Sequence, residues 1–222
     1  MRSIPMTLKP MLALLLLLLA PVAALSQIHD SAEQVRPILP GMSAPEVEFL
    51  DVESKPVPLD PAALEKPLVL TFYRGGWCPY CNLHLAELRT AEAELVELGF
   101  DVWFASPDRP ELLAEGDQVG LGYRLLSDST LAAAQAFGIA FRVDPVLVAR
   151  MAQGGMDINA RSGQDHGALP APATFIIGTD GVVQFSYVNP DYSVRLAPSV
   201  LLAAAKAYAD GQHRRLQRSS GG

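Results

Sequence analysis

Continuous apolar runs alternate along this chain with stretches in which apolar residues recur at helical spacing. Residues 67–73 read PLVLTFY, a run typical of a strand that is buried on both faces. Farther on, the apolar positions fall three or four residues apart, at Leu85, Leu88, Ala91, Leu95 and Leu98. Gly99 follows this series, so the pattern predicts an amphipathic helix that ends at that glycine.

The same alternation continues toward the C-terminus. FDVWFAS (100–106) and YRLLSD (123–128) predict buried strands, and PDRPELLAEGDQ (107–118) predicts a short helix. STLAAAQAFG predicts a helix that begins at Asp128 or Ser129 and ends at Gly138. Residues 173–188 predict a hairpin around a Thr-Asp-Gly turn, and residues 197–211 predict a final helix.

These elements predict an α/β fold with a central mixed sheet, flanking helices and a terminal β-hairpin. Residues 141–168, here called the inserted segment, interrupt the alternation with a short apolar helix and a Gly-rich loop. We interpret the inserted segment as a lid or surface loop. We predict that residues 67–211 form one redox domain. Residues 27–66 are rich in Pro and acidic residues, and we predict that they form an irregular segment that packs on this domain and contains a hairpin near 47–59.

The first 26 residues have the layout of a secretory signal peptide. Arg2 and Lys9 precede an apolar block at 11–19, and small residues follow it, so cleavage is expected near Ala24 or Ser26. The block is shorter than the about 20 apolar residues that a membrane-spanning helix needs. An uncleaved membrane anchor is the alternative.

Charge narrows the range of partners. The formal net charge is −7, and loss of Arg2 and Lys9 with the signal peptide makes it about −9. This acidic balance argues against nucleic-acid binding, which requires clustered Lys and Arg. The one basic cluster lies in residues 212–222, which we predict to be a disordered tail. We expect an exported protein, periplasmic or extracellular, without stable membrane insertion after signal removal, in a compartment that permits disulfides.

The two cysteines of the chain, Cys78 and Cys81, stand three residues apart where the strand at 67–73 gives way to a helix. Free backbone N–H groups and the helix dipole favour a thiolate at Cys78, and such placement lowers a cysteine pKa from about 8.5 to about 3.5–7.5. Pro79 suits the first helical position. Cys81, one turn in, would be the more buried, resolving thiol, and Arg74 could add positive charge nearby.

Other interpretations of the cysteine pair are weaker. A structural disulfide would close too small a loop to stabilise the fold much. A zinc site needs four ligands, and the chain has only two cysteines. A haem-attachment motif requires histidine directly after the second cysteine, where this chain has Asn82. A Cu(I) site with His84 or His166 is an alternative, although a lone surface histidine is the more usual interpretation. A redox dithiol accounts for the spacing best.

Three stretches resemble one family. They are similar to segments of the peroxiredoxin-like branch of the alkyl hydroperoxide reductase and thiol-specific antioxidant group. The three stretches are FYRGGWCPYC (72–81), YRLLSDSTLAAAQAFGIA (123–140) and PATFIIGTDGVV (172–183). The resemblance covers about residues 40–210 and implies a thioredoxin-like fold in an exported bacterial protein. Pro172 matches the position of the cis-proline that faces the active cysteines in thioredoxin-like proteins.

The resemblance implies a thiol peroxidase that needs no metal or organic cofactor. Cys78 would reduce a hydroperoxide and become a sulfenic acid, Cys81 would form a disulfide with it, and a thioredoxin-like dithiol protein would recycle the pair. The N–H groups of Gly76, Trp77 and Cys78 would stabilise developing charge.

Gly75 stands where typical peroxiredoxins carry threonine, which favours an alternative, a thiol–disulfide oxidoreductase acting on exported proteins. In that reaction Pro172 would help to dock the substrate chain. A copper-binding module is a third hypothesis.

Overall fold

The computed structural model describes residues 27–113 and 122–212. The predicted signal peptide, nearly all of the predicted C-terminal tail and the second half of the predicted helix at 107–118 lie outside these residues. Nine strands are described: β1 (Val47–Leu50), β2 (Pro56–Leu59), β3 (Leu68–Phe72), β4 (Asp101–Ser106), β5 (Arg124–Ser127), β6 (Ala140–Arg142), β7 (Ala168–Pro170), β8 (Ala173–Ile177) and β9 (Val183–Val188). The helices are α1 (Pro79–Glu97), α2 (Pro110–Leu113), α3 (Ala132–Ala136), α4 (Pro145–Gln153), α5 (Ile158–Ser162) and α6 (Pro198–Ala209).

Seven of the strands form one mixed sheet in the order β2-β1-β5-β4-β3-β8-β9. The β3, β4 and β5 strands are parallel, and the remaining neighbours are antiparallel. β3 lies between β4 and β8, and all five of its residues are buried. The mixed sheet and the buried strand at 67–73 are therefore confirmed. The central position of β3 fixes the loop that leaves its end.

Successive residues of β3 enter two different hydrophobic cores, as expected for a strand covered on both faces. Leu70 and Phe72 pack with Phe137 and Phe175 on the face that α3 covers. Val69 packs on the opposite face with residues of α1 and α6. Helices therefore hold the sheet from both sides, and α1 lies directly after the strand that it covers.

The N-terminal segment contributes to the sheet. The hairpin predicted near 47–59 is present, and its strand β1 pairs with β5 through Leu50 and Ser127. Residues 27–66 therefore extend one edge of the sheet in addition to packing on the domain. Farther up the chain, the backbone N–H of Arg36 donates to the carbonyl of Gly138 at 2.9 Å.

The inserted segment contains more regular structure than its sequence indicated. Helices α4 and α5 stand between β6 and β7, which pair antiparallel as a separate two-stranded sheet. Asp144 and Asp157 cap the two helices by accepting backbone N–H groups of their first turns. These caps explain why short helices form in a Gly-rich stretch.

Helix α3 begins later than its sequence predicted. The Asp128 carboxylate does serve its N-terminus, because it accepts the N–H groups of Ala133 at 3.0 Å and Ala134 at 2.8 Å. Leu131 lies between Asp128 and the helix and takes a left-handed conformation, with φ of 59°. The helix therefore starts only at Ala132. Within residues 27–113 and 122–212, no helix has both the length and the apolar character needed to span a membrane.

Gly138 supports a prediction about stability. An added Cβ would lie 2.0 Å from the Arg36 carbonyl oxygen, and φ is +72°. Gly138→Ala should therefore add an overpacking cost of about 1–3 kcal/mol to the about 1–2 kcal/mol of a left-handed alanine. Gly163→Ala is the matched control, since φ there is +70° with no atom within 4 Å of the added Cβ. Equal loss of unfolding free energy in denaturant titrations of the two variants would contradict this account.

Candidate active site

The loop after β3 places Cys78 at the N-terminus of α1. Cys78 is the N-cap residue and Pro79 occupies the first helical position, as predicted. The chain reverses at Gly75, where φ is +133° and an added Cβ would lie 2.4 Å from Nε1 of Trp77. Only glycine fits this turn, so the family's threonine could not occupy this position in the present loop.

Both cysteines are reduced and buried, with 1% of Cys78 and none of Cys81 exposed. The Cys78 carbonyl accepts the N–H groups of Cys81 and Asn82, each at 3.0 Å. The Asn82 amide donates in turn to the Gly76 carbonyl at 2.9 Å. These bonds join the first turn of α1 to the loop that precedes it.

The two thiols have opposite proton affinities. The Cys81 thiol donates a hydrogen bond to the Cys78 sulfur, and this bond is the main reason that the pKa of Cys78 falls to about 5. A backbone hydrogen bond from Cys81 and the charges of Arg74 and Arg195 lower it further, against the opposing effect of burial. The pKa of Cys81 is raised because its proton serves the Cys78 thiolate and because it is buried. Near neutral pH, Cys78 is therefore the thiolate and Cys81 the thiol.

Arg74 lies between two aromatic rings beside the cysteines. Its guanidinium carbon is 4.1 Å from the centroid of Tyr192 and 5.1 Å from that of Trp77. The residue is 8% exposed, and its Nε has no hydrogen-bond partner among the described residues. The structure therefore places Arg74 as a buried cation near the thiolate, as the sequence suggested.

Arg195 is a site residue that the sequence did not indicate. It lies in the β9–α6 loop (residues 189–197), and its Nη2 donates to the Cys81 sulfur at 3.3 Å. The contact joins residues 114 positions apart in the chain. No local motif surrounds this arginine, so the sequence offered no signal that could have identified it.

The inserted segment also reaches the cysteine loop. Asp108, which follows β4, accepts the Gly76 N–H at 2.7 Å and the Nε of Arg161 at 2.7 Å. Arg161 lies on α5, and the Asp108 side chain is almost fully buried. An ion pair thus fixes the loop that carries Cys78 to helix α5.

These contacts correct the predicted roles of the backbone N–H groups. The Gly76 N–H donates to Asp108, and the Cys78 N–H donates to the Gly75 carbonyl at 3.1 Å. Of the three predicted groups, only the Trp77 N–H makes no hydrogen bond within the described residues. Two of the three are therefore committed to holding the loop.

The prediction for Pro172 is also partly wrong. All peptide bonds of the described residues are trans, so Pro172 is not a cis-proline. It directly precedes β8, whose Ala173 pairs with Phe72 at the end of β3. Pro172 thus lies at the edge of the sheet from which the cysteine loop leaves, and its carbonyl accepts the Asn189 N–H at 3.2 Å. A carbonyl used in this way holds the start of the β9–α6 loop.

The two candidate copper ligands have structural partners. His84 is buried rather than a surface residue, and its Nε2 lies 3.0 Å from the Leu196 carbonyl. His166 Nε2 lies 3.1 Å from the Ser129 carbonyl, while its Nδ1 accepts the Ala168 N–H. Residues 27–113 and 122–212 contain no group of three or more His, Cys, Asp or Glu side chains suited to a metal. The copper hypothesis therefore gains no support from the geometry.

A cavity of about 780 Å³ opens beside Arg74 and Tyr192. Its other walls come from residues 30–33, from Pro190 and Asp191, and from residues 141–145 and Leu147 of the inserted segment. The inserted segment thus lines the space next to the buried cation, in addition to anchoring the cysteine loop through Arg161.

The sequence pattern of the AhpC/TSA family matches residues 40–186, about two thirds of the chain. The chain belongs to the AhpC/TSA family. Membership confirms the resemblance that the three stretches indicated. It supports a peroxiredoxin-type peroxidase or thiol oxidoreductase.

Solved structures agree with this assignment at the level of the fold. Peroxidoxin BcpB from Mycobacterium tuberculosis is 22% identical, with a TM-score of 0.57 over 76% of this chain and 96% of that one. AhpC of Enterococcus faecalis is 20% identical, with a TM-score of 0.58 over 81% and 99%. A mutant of peroxiredoxin 6 of Arenicola marina is 18% identical, with a TM-score of 0.62 over 82% and 79%. The predicted thioredoxin-like fold is confirmed.

The thiol pair generates a pH prediction. Followed by thiolate ultraviolet absorbance, Cys78 should titrate with a pKa of about 5. Cys81→Ala removes the main stabilising donor and should move the pKa toward the about 8.5 of a free cysteine. Cys81→Ser keeps a hydroxyl donor and should lie between, while Cys78→Ser should lack the acidic transition. An unchanged titration in Cys81→Ala would contradict the assigned cause.

The Asp108–Arg161 pair generates a stability prediction. Asp108→Ala should lower the free energy of unfolding by more than about 1 kcal/mol and by less than the about 3–5 kcal/mol typical of breaking a fully buried ion pair. The loss is smaller than for a fully buried pair because Arg161 is 24% exposed. Glu111→Ala is the control, because its pair with Arg109 is exposed and such pairs contribute about 0–1 kcal/mol. Denaturant unfolding measures both. Equal effects of the two substitutions would show that Asp108 does not hold the loop.

Proposed function

We propose that this protein is a thiol peroxidase in which Cys78 reduces a hydroperoxide and Cys81 resolves the product. The observation that supports it most is a thiolate at the N-terminus of α1, stabilised by the Cys81 thiol and placed among the charges of Arg74 and Arg195. A thiolate is the nucleophile in such chemistry, so the site holds Cys78 ready at neutral pH.

Burial of the thiolate favours a small substrate. Cys78 is 1% exposed, so a disulfide on the surface of a folded protein cannot meet its sulfur without a change in the loop. A hydroperoxide group is small enough to enter beside Arg74, whose Nε is buried without a partner among the described residues. Arg74 could then donate to a peroxide oxygen as negative charge develops on the leaving group.

The proposed reaction has two chemical steps inside the site. The Cys78 thiolate attacks the terminal peroxide oxygen, the O–O bond breaks, and the alkoxide or hydroxide leaves and takes a proton, so that sulfur is oxidised and peroxide is reduced. The Cys81 thiolate then attacks the Cys78 sulfur. The S–S bond forms while the S–O bond breaks, and the departing hydroxide becomes water.

Recycling requires an external dithiol, for which a thioredoxin-like protein is our proposal. The surface around the motif carries exposed apolar side chains, at Tyr80, Leu83, Tyr192 and Val194. Such exposed apolar groups beside a reactive pair are typical of contact surfaces. The loop must expose the disulfide before a protein thiol can attack it.

A second candidate function is thiol–disulfide exchange with exported proteins. It is favoured by Gly75, which supplies no side-chain hydroxyl where the family's threonine would hold a peroxide. In this reaction Cys78 attacks a substrate disulfide and Cys81 resolves the mixed disulfide.

We also propose export to the periplasm or extracellular space, with cleavage near Ala24 or Ser26. The support is the order of charged, apolar and small residues in the first 26 positions. N-terminal sequencing of the protein recovered from outside the cytoplasm tests this proposal. Recovery of the uncleaved chain in the membrane fraction would contradict it.

Stopped-flow oxidation of the reduced protein tests the peroxidase, with the fluorescence of Trp77 as the signal. At neutral pH only about one in thirty molecules of a thiol with a pKa of about 8.5 is ionised, so full ionisation alone raises the oxidation rate by about thirtyfold. An enzyme should therefore react with peroxide more than about thirtyfold faster than free cysteine does. Cys78→Ser should abolish the signal, and Cys81→Ser should accumulate a sulfenic acid. A rate within that thirtyfold range, with reduction of a protein disulfide instead, would favour exchange.

A further inference from the structure

Arg195 places a positive charge against the Cys81 thiol. In the proposed reaction this thiol must lose its proton, and no base has been assigned to take it. The Nη2 of Arg195 donates to the Cys81 sulfur at 3.3 Å, and its Nε donates to the Tyr192 carbonyl at 2.7 Å. The remaining nitrogen, Nη1, is buried and has no hydrogen-bond partner within the described residues. One nitrogen therefore fixes the guanidinium to its own loop while a second contacts a reacting atom.

Two contacts hold the β9–α6 loop against α1 near Cys81. The Leu196 carbonyl accepts the Nε2–H of His84, one turn beyond Cys81, at 3.0 Å. Burial lowers the pKa of His84, so its imidazole is neutral and donates this bond at neutral pH. The Tyr192 ring packs on that of Tyr80 with centroids 5.6 Å apart. The position of Arg195 over Cys81 is therefore set from both sides.

The reduced site cannot supply the Cys81 thiolate that resolution requires. In that state Cys81 keeps its proton, because the proton forms the hydrogen bond to the Cys78 thiolate. Oxidation of Cys78 to a sulfenic acid removes the negative charge that held this proton in place. Burial still disfavours an ionised Cys81, so a compensating positive charge is needed. Arg195 is the cation in direct contact with its sulfur.

We propose that Arg195 is a catalytic residue of the resolving and recycling steps, where it stabilises Cys81 as a thiolate. For resolution the inference rests on the proposed peroxidase. Cys81 releases its proton to solvent, attacks the Cys78 sulfur and forms the S–S bond as hydroxide leaves with a proton as water. In recycling, an external thiolate attacks Cys78, the S–S bond breaks, and Cys81 leaves as the thiolate that Arg195 stabilises.

Few other groups around Cys81 can change charge near neutral pH. Cys78, Tyr73 and Arg195 act on it through their side chains, and Arg74 acts through a backbone hydrogen bond. His84 lies one turn farther along α1. Burial raises the pKa of Tyr73 and lowers that of His84, so both stay neutral. The pH dependence of resolution should therefore report Cys81.

The first experiment follows sulfenic acid and disulfide formation as separate phases after mixing with hydrogen peroxide. Arg195→Gln should raise the Cys81 pKa and so slow the second phase at neutral pH. Each unit of increase leaves about tenfold less Cys81 thiolate, but a thiolate of higher pKa is also about threefold more nucleophilic, so the net loss of rate is about threefold for each unit. Above both pKa values the variant should equal or exceed the wild-type rate. The first phase should slow less than the second, because Arg195 adds only a smaller part of the stabilisation of the Cys78 thiolate, which the Cys81 thiol mainly provides.

Further variants separate charge from packing. Arg195→Lys keeps the charge and should recover most of the rate, and Arg195→Met keeps the apolar volume and replaces the glutamine variant if that protein does not fold. Arg124→Gln is the control, because Arg124 lies on β5, where its guanidinium carbon is 5.8 Å from the ring centroid of Trp103. A resolving phase in Arg195→Gln with wild-type rate and pH profile would overturn the proposal.

The second experiment does not depend on peroxide. The Cys78–Cys81 disulfide, formed with a chemical oxidant, is reduced by dithiothreitol, and Arg195→Gln should slow this reduction at neutral pH because Cys81 becomes a poorer leaving group. If peroxide fails to oxidise the wild type while this difference persists, the peroxidase is wrong and the role of Arg195 stands. Equal reduction rates would overturn the role of Arg195 alone.

Discussion

The hydrogen bond from the Cys81 thiol to the Cys78 sulfur is the interaction on which the site depends. It assigns one proton to one of two buried sulfurs, and so creates a nucleophile and a protonated partner within one helical turn. Burial alone would keep both thiols neutral, since it disfavours a thiolate. The N-terminus of α1 and two arginines offset that cost, so the ionised sulfur persists away from water.

Segments distant in sequence hold this pair in place. Asp108 and Arg161 tie the Gly76 N–H to helix α5, and the β9–α6 loop carries Arg195 onto Cys81. The inserted segment and the loop before α6 therefore both act on the turn that carries the two cysteines. Each contact uses a charged group with little exposure, for which geometry matters more than it does at the surface.

The sequence was most informative where the physical signal is local. The buried strand β3, the start of α1 at Pro79 and its end before Gly99 follow from apolar runs, helix-capping chemistry and glycine conformation within a few neighbouring residues. The reactive pair could be recognised for the same reason.

Contacts made across the fold could not be predicted in this way. Arg195 and Cys81 are 114 positions apart, and Arg161 and Asp108 are 53 apart, so neither pair leaves a periodic pattern. The roles assigned to Gly76 and Pro172 were incomplete because hydrogen-bond partners and peptide geometry depend on the assembled loops.

Mass spectrometry after addition of one equivalent of hydroperoxide to the reduced protein tests the central claim most directly. The account predicts rapid loss of two hydrogens from the intact chain, localised by digestion to a Cys78–Cys81 disulfide, and a Cys78 sulfenic acid that a dione reagent traps in Cys81→Ser. Survival of both thiols in the reduced form, while peroxide remains in solution, would contradict it.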